Sequence, residues 1–104
     1  MITTEWVRHH YGPAFAKLRR RTGCGVEVLA DGDSVGVLLR WQTARGALGH
    51  IDLYFNEVEF GIGSAINFRR YGPVELSAVH PDPEELLDIV QTRHKGLARA
   101  LVTA

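Results

Sequence analysis

The sequence has a single cysteine, Cys24, among its 104 residues. One thiol excludes an intramolecular disulfide and a thiolate-built zinc site, and it fits a reducing compartment. Cys24 stands between Gly23 and Gly25, where a small residue in a turn is the plain expectation. A reactive thiol would have to draw on Arg19, Arg20 and Arg21 nearby. No apolar run approaches the ~20 residues a membrane helix needs. The start, Met1-Ile2-Thr3-Thr4-Glu5, lacks the basic stretch and apolar run of a secretion signal, so a cytoplasmic location is expected. Low-complexity tracts and solenoid-length repeats are absent. Tyr-Gly-Pro occurs twice, at Tyr11 to Pro13 and Tyr71 to Pro73, which is too short to mark a duplication.

Catalytic signatures are missing as well. Gly61-Ile62-Gly63-Ser64 puts glycines before a serine but is not a nucleophile elbow, and no phosphate-cradling Gly-Lys-Ser/Thr loop occurs. The five histidines, His9, His10, His50, His80 and His94, include no pair at the i, i+4 spacing of a helical zinc site. No cofactor or metal is therefore expected. The net formal charge is zero, which weighs against a wholly basic nucleic-acid binder. A basic cluster does exist at Lys17, Arg19, Arg20 and Arg21, with Arg40, Arg45, Arg69 and Arg70 elsewhere and Tyr71 beside the last pair. It lacks an aromatic pair on a central strand, and a charged helix end with solvated loops accounts for it.

What is present is the composition of one globular domain over residues 1–104, with 45% apolar and 23% charged residues. Thr3 or Thr4 can cap a first helix with Trp6, Val7, His10, Phe15 and Leu18 on its stripe. Gly12-Pro13 is expected to interrupt it, leaving a short first turn or two and a helix from Pro13 to Thr22 closed by Gly23. Val26 and Val28 begin a hairpin that turns at Asp31-Gly32. Val35, Val37, Leu39 and Trp41 form the clearest period-two strand, and residues 42–49 read as a loop. Ile51, Leu53 and Phe55 alternate with His50, Asp52 and Tyr54. The phase then flips at Asn56-Glu57 to Val58, Phe60 and Ile62, which demands a turn or a bulge. Gly61-Ile62-Gly63 is expected to bend or end that strand. Residues 65–68 extend it, and residues 74–79 form a last strand.

Asp82-Pro83-Glu84-Glu85 is a strong helix start, followed by a stripe of Leu86, Val90, Leu97 and Leu101 beside Ile89. The order predicts an α+β two-layer sandwich: an antiparallel sheet of four or five strands, covered on one face by an N-terminal and a C-terminal helix.

The zero net charge conceals a pattern. Residues 1–50 and 93–104 are each basic by three charges, and residues 51–92 are acidic by six. If Asp52, Glu57, Glu59 and Glu75 share the open sheet face around Tyr54, they form an acidic surface with an aromatic anchor. Such a surface suits a small cytoplasmic protein-binding module, for example an immunity-type inhibitor that neutralises a toxin, such as a nuclease, through its basic surface. A second expectation is a small enzyme or metal-binding protein built on His50, Asp52 and the glutamates near them. A third is a homodimeric structural domain joined along a strand edge or the last helix. The plain alternative to the first two is a solvated sheet face, and to the third a last helix whose stripe packs on its own sheet.

Overall fold

In the computed structural model, which describes residues 1–104, Thr3 starts helix α1 (Thr4–Thr22) by accepting a hydrogen bond from the Trp6 N–H at 3.0 Å. Gly23 ends the helix in the left-handed conformation, its N–H donating to the Arg19 carbonyl. The break expected at Gly12-Pro13 does not occur, and α1 runs through Pro13. Besides removing a hydrogen bond, proline crowds the residue before it, and Gly12 has no Cβ to be crowded. An interior proline costs ~3 kcal/mol. Against this stands an unbroken stripe of buried Val7, Tyr11, Ala14, Phe15 and Leu18, each large side chain contributing ~1.5–3 kcal/mol. Trp6 and His10, expected on that stripe, instead stack on each other at the surface with ring centroids 4.6 Å apart.

The strands are β1 (Gly25–Asp31), β2 (Ser34–Gln42), β3 (Leu48–Phe55), β4 (Phe60–Ile66), β5 (Arg69–Arg70) and β6 (Glu75–Ser77). All pairings are antiparallel, in the order β1-β2-β3-β4, and both β5 and β6 pair with β4. The β1–β2 turn is centred on Gly32-Asp33, one residue later than expected, with Gly32 at φ 59°. The phase flip after Phe55 is absorbed by a turn over residues 56–59. Asn56 organises it, its side-chain oxygen accepting from the N–H groups of Val58 and Glu59. Val58 is consequently exposed in the turn and not part of the core.

Gly61 and Gly63, expected to bend or end their strand, sit in the middle of β4 and keep full register with β3. Asn67 and Phe68, both at positive φ, form the turn between β4 and β5, so residues 65–68 do not continue β4 unbroken. The expected last strand shrinks to β6.

Helix α2 (Pro83–Thr103) starts as anticipated, with the Asp82 side chain accepting from the Glu85 N–H at 2.8 Å. It buries Leu86, Leu87, Val90, Leu97 and Leu101. Both helices lie on one side of the sheet, giving the α+β two-layer sandwich. The core joins them to Val35, Val37, Leu39, Ile51, Leu53, Phe55, Phe60 and Ile62. Tyr11 ties α1 to the segment that enters α2 through its hydroxyl, which donates to the Pro81 carbonyl at 2.6 Å. No helix is long and apolar enough to cross a membrane.

Candidate functional site

Strand alternation sends every second side chain away from the helices. The register makes the pattern on that open face legible. One row across the sheet reads Leu29, Gly36, Tyr54, Gly61 and Leu76, from β1 to β6. Large apolar residues alternate with glycines, and the three large ones are exposed by 52%, 36% and 65%. The next row carries Glu27, Leu38, Asp52 and Gly63, and the one after it Arg40, His50, Ala65 and Arg70.

The glycines shape this surface. A Cβ on Gly61 would lie 2.9 Å from Leu76 Cδ2, and one on Gly63 would lie 3.3 Å from Val74 Cγ2. Leu76 and Val74 therefore lean over bare backbone and wall a shallow depression of about 310 Å³, with Asp52, Tyr54, Ala65 and Arg70 around it. Tyr54 is fixed in place, since its hydroxyl accepts from Ser34 Oγ at 2.9 Å and from Asn56 Nδ2 at 3.0 Å.

The charges here are mixed. Glu27 faces Arg40 at 3.7 Å. Burial pushes the Asp52 carboxyl above the usual carboxylate range, opposed in part by the His50 imidazole. His50 is only 6% exposed, with the Phe68 ring 5.5 Å away. Phe68 reaches that position from φ 67°, a conformation few bulky residues adopt. The turn is held from the other side, where the Asn67 side chain accepts the Leu48 N–H and the Asn67 N–H donates to the Leu48 carbonyl.

Of the five residues expected to form one acidic contact surface, the structure brings Asp52 and Tyr54 together on the open face. Glu57 and Glu59 lie in the turn after β3, and the Glu57 carboxylate pairs with the N-terminal amine at 2.6 Å. That amine holds Glu57 below the usual carboxylate range. Glu75 lies opposite Ile62 and so points to the helix side, where it meets Arg93 at 3.2 Å. Arg93 also donates to Ser64 Oγ and to the Pro73 carbonyl, which fastens α2 to the outer strands.

Much of the acidity of residues 51–92 has a local cause. Asp82, Glu84 and Glu85 cap or line the first turn of α2, where carboxylates oppose the helix dipole. No group of three or more His, Cys, Asp or Glu side chains is placed to hold a metal ion, and Glu57 and Glu59 do not join His50 and Asp52 on the sheet.

Sequence reasoning missed Leu29, Leu76, Val74 and the two glycine holes. The partial signal was the alternation in Gly61-Ile62-Gly63 and Val74-Glu75-Leu76; which side each position takes follows from the pairing of β6 with β4. No family model matches the chain, and no curated protein or solved structure matches it significantly.

Proposed function

We propose that the chain is a protein-binding module whose contact surface is the open face of the sheet. The observation that supports this most directly is the row Leu29, Gly36, Tyr54, Gly61, Leu76, an exposed series of ridges and holes running across the whole sheet. A contiguous apolar surface of this kind is a cost in water unless a partner covers it. The Tyr54 ring, pre-positioned by two hydrogen bonds, is suited to anchor such a contact because little side-chain freedom is lost on binding. The partner is recognised by apolar side chains that fill the hole at Gly36 and the shallow depression walled by Tyr54, Leu76 and Val74. One cation set against Asp52 adds orientation.

Inhibition of a toxin domain is one biological role open to such a module. A version that blocks a strongly basic cleft asks for more carboxylates than Glu27 and Asp52 supply, so apolar fit carries the proposed contact. The expected test selects binders from a displayed library against the intact chain and maps them by backbone amide shifts. Binders that perturb Gly36, Tyr54 and Gly61 support the reading. Binders that map only to the helices would contradict it.

A further inference from the structure

The two edges of the sheet are finished differently. At β4 the outer edge is covered by β5 at one end and β6 at the other. At β1 no strand lies beyond, and all seven residues pair in unbroken register with β2. β1 has no lysine, proline or bulge to guard this open edge, and its two acids stand at Glu27, turned toward Arg40, and at Asp31 beside the turn.

The Val28 carbonyl accepts a hydrogen bond from the Arg8 guanidinium on α1 at 3.3 Å, so it points away from β2. Antiparallel alternation then turns the backbone groups of Val26 and Ala30 outward as well. Beside this edge runs a groove of about 440 Å³ between β1 and α1. Its helix wall is Arg8, Gly12, Phe15, Ala16 and Arg19, with Gly12, Ala16 and the largely buried Phe15 between the two guanidinium groups. A Cβ at Gly12 would touch nothing within 4 Å, which shows how open the centre is. Neither arginine has a carboxylate within salt-bridge distance, and the one acid lining the groove, Glu27, is turned toward Arg40.

We propose that this groove takes an extended, acidic peptide segment that adds to the sheet as a strand against β1. Strand addition gives affinity through backbone hydrogen bonds and selectivity through alternate side chains. Arg8 and Arg19 are eleven positions apart on α1, which spans ~16 Å at the helical rise. Two residues four apart in an extended segment stand ~13 Å apart, and the long arginine side chains make up the difference. The matching pattern is Glu-x-Val-x-Glu. Its two carboxylates meet the two arginines, and the valine lies over Gly12 and Ala16. Arg8 exchanges the Val28 carbonyl for the incoming carboxylate, and the peptide N–H takes its place. A second copy of the chain fits this edge poorly, because it would bring its own Arg8 and Arg19 against the first pair. The inference is independent of the open face.

The probe is a blocked nine-residue peptide with Glu-Thr-Val-Thr-Glu at its centre and threonine flanks, titrated into the isotope-labelled full chain. The Val26, Val28 and Ala30 amides should shift. The same peptide with lysines for glutamates should bind at least about tenfold more weakly. The R8E/R19E double variant should reverse that preference. Ala30→Pro removes one outward N–H and should weaken the acidic peptide while circular dichroism stays unchanged. Equal binding of both peptides overturns the proposal, as does the absence of shifts at about 1 mM, a concentration that detects even weak capture. Shifts confined to the open face overturn it too, and so does peptide-free self-association that protects the β1 amides, which would make the occupant a second copy.

Discussion

The two sides of β3 and β4 use the same residue type to opposite ends. On the helix side, Gly49 lets α2 come down onto the sheet, since a Cβ there would lie 2.7 Å from Leu101 Cδ1 and within 3.3 Å of two further atoms of that side chain. On the open side, Gly61 and Gly63 leave space that Leu76 and Val74 only partly cover, with Leu76 still 65% exposed. Gly49 lies under a buried side chain that is held in place, whereas Gly61 and Gly63 lie under exposed side chains that are free to move. The comparison teaches that stability resides on one side of these strands, and that the other side is free to be shaped for something else.

Truncations on the two sides of the sheet should differ most. Leu53→Ala removes a side chain only 1% exposed and should cost about 2–5 kcal/mol in urea denaturation. Leu76→Ala, two strands over and on the open side, should stay within about 0.5 kcal/mol. Comparable losses at the two positions would end the distinction.

Next in size is an alkaline effect on the helix side. Burial pushes the Tyr11 hydroxyl up to about 12, aided by the charges of Asp82 and Glu85. The folded state therefore keeps a proton that the unfolded chain releases near pH 10. Stability is complete below pH 10 and should fall between pH 10 and 12, by about 2–3 kcal/mol if the whole shift is expressed. Tyr11→Phe should flatten that part of the pH profile and lower stability near neutrality, because it leaves the Pro81 carbonyl without its donor.

Glycine substitutions sharpen the contrast further. Gly49→Ala should destabilise by about 1–3 kcal/mol through overpacking against Leu101. Gly61→Ala meets only the far end of an exposed side chain and should cost less than Gly49→Ala. Gly96→Ala, in α2 with nothing within 4 Å of its Cβ position, should raise stability by about 1 kcal/mol.

The smallest expected effect is at His94, stacked on Trp41 with centroids 4.6 Å apart. Burial holds its pKa below the ordinary value. The unfolded chain binds the proton more readily, so stability should fall as pH drops through about 6.5, the ordinary histidine value. His94→Gln should reduce that acid dependence in a denaturation series.

The layers and most element boundaries were legible because they rest on short-range physics: Thr3 and Asp82 as caps, Gly23 as a stop, and period-two runs in β2 and β3. The continuity of α1 was not, because it depends on a missing Cβ at Gly12 and on five buried contacts that only the fold supplies. The site was legible in fragments. Alternation placed Asp52 and Tyr54 on one face, but the positions of Glu57, Glu59 and Glu75 depended on a turn and on a crossing edge strand. β6 joins the sheet beyond β5 in sequence yet pairs with β4, which no local pattern in residues 71–77 reveals. That pairing set Glu75 on the helix side and brought Leu76 beside Gly61.

The central claim is that the open face can be changed without touching the fold. Gly36→Leu tests it most directly, since Gly36 has nothing within 4 Å of its Cβ position and sits between Leu29 and Tyr54 in the exposed row. The measurement pairs urea denaturation with titration of a binder selected against the intact chain. The account predicts stability equal to or above that of the original chain and affinity reduced at least about tenfold. A variant that loses stability while binding unchanged would contradict it.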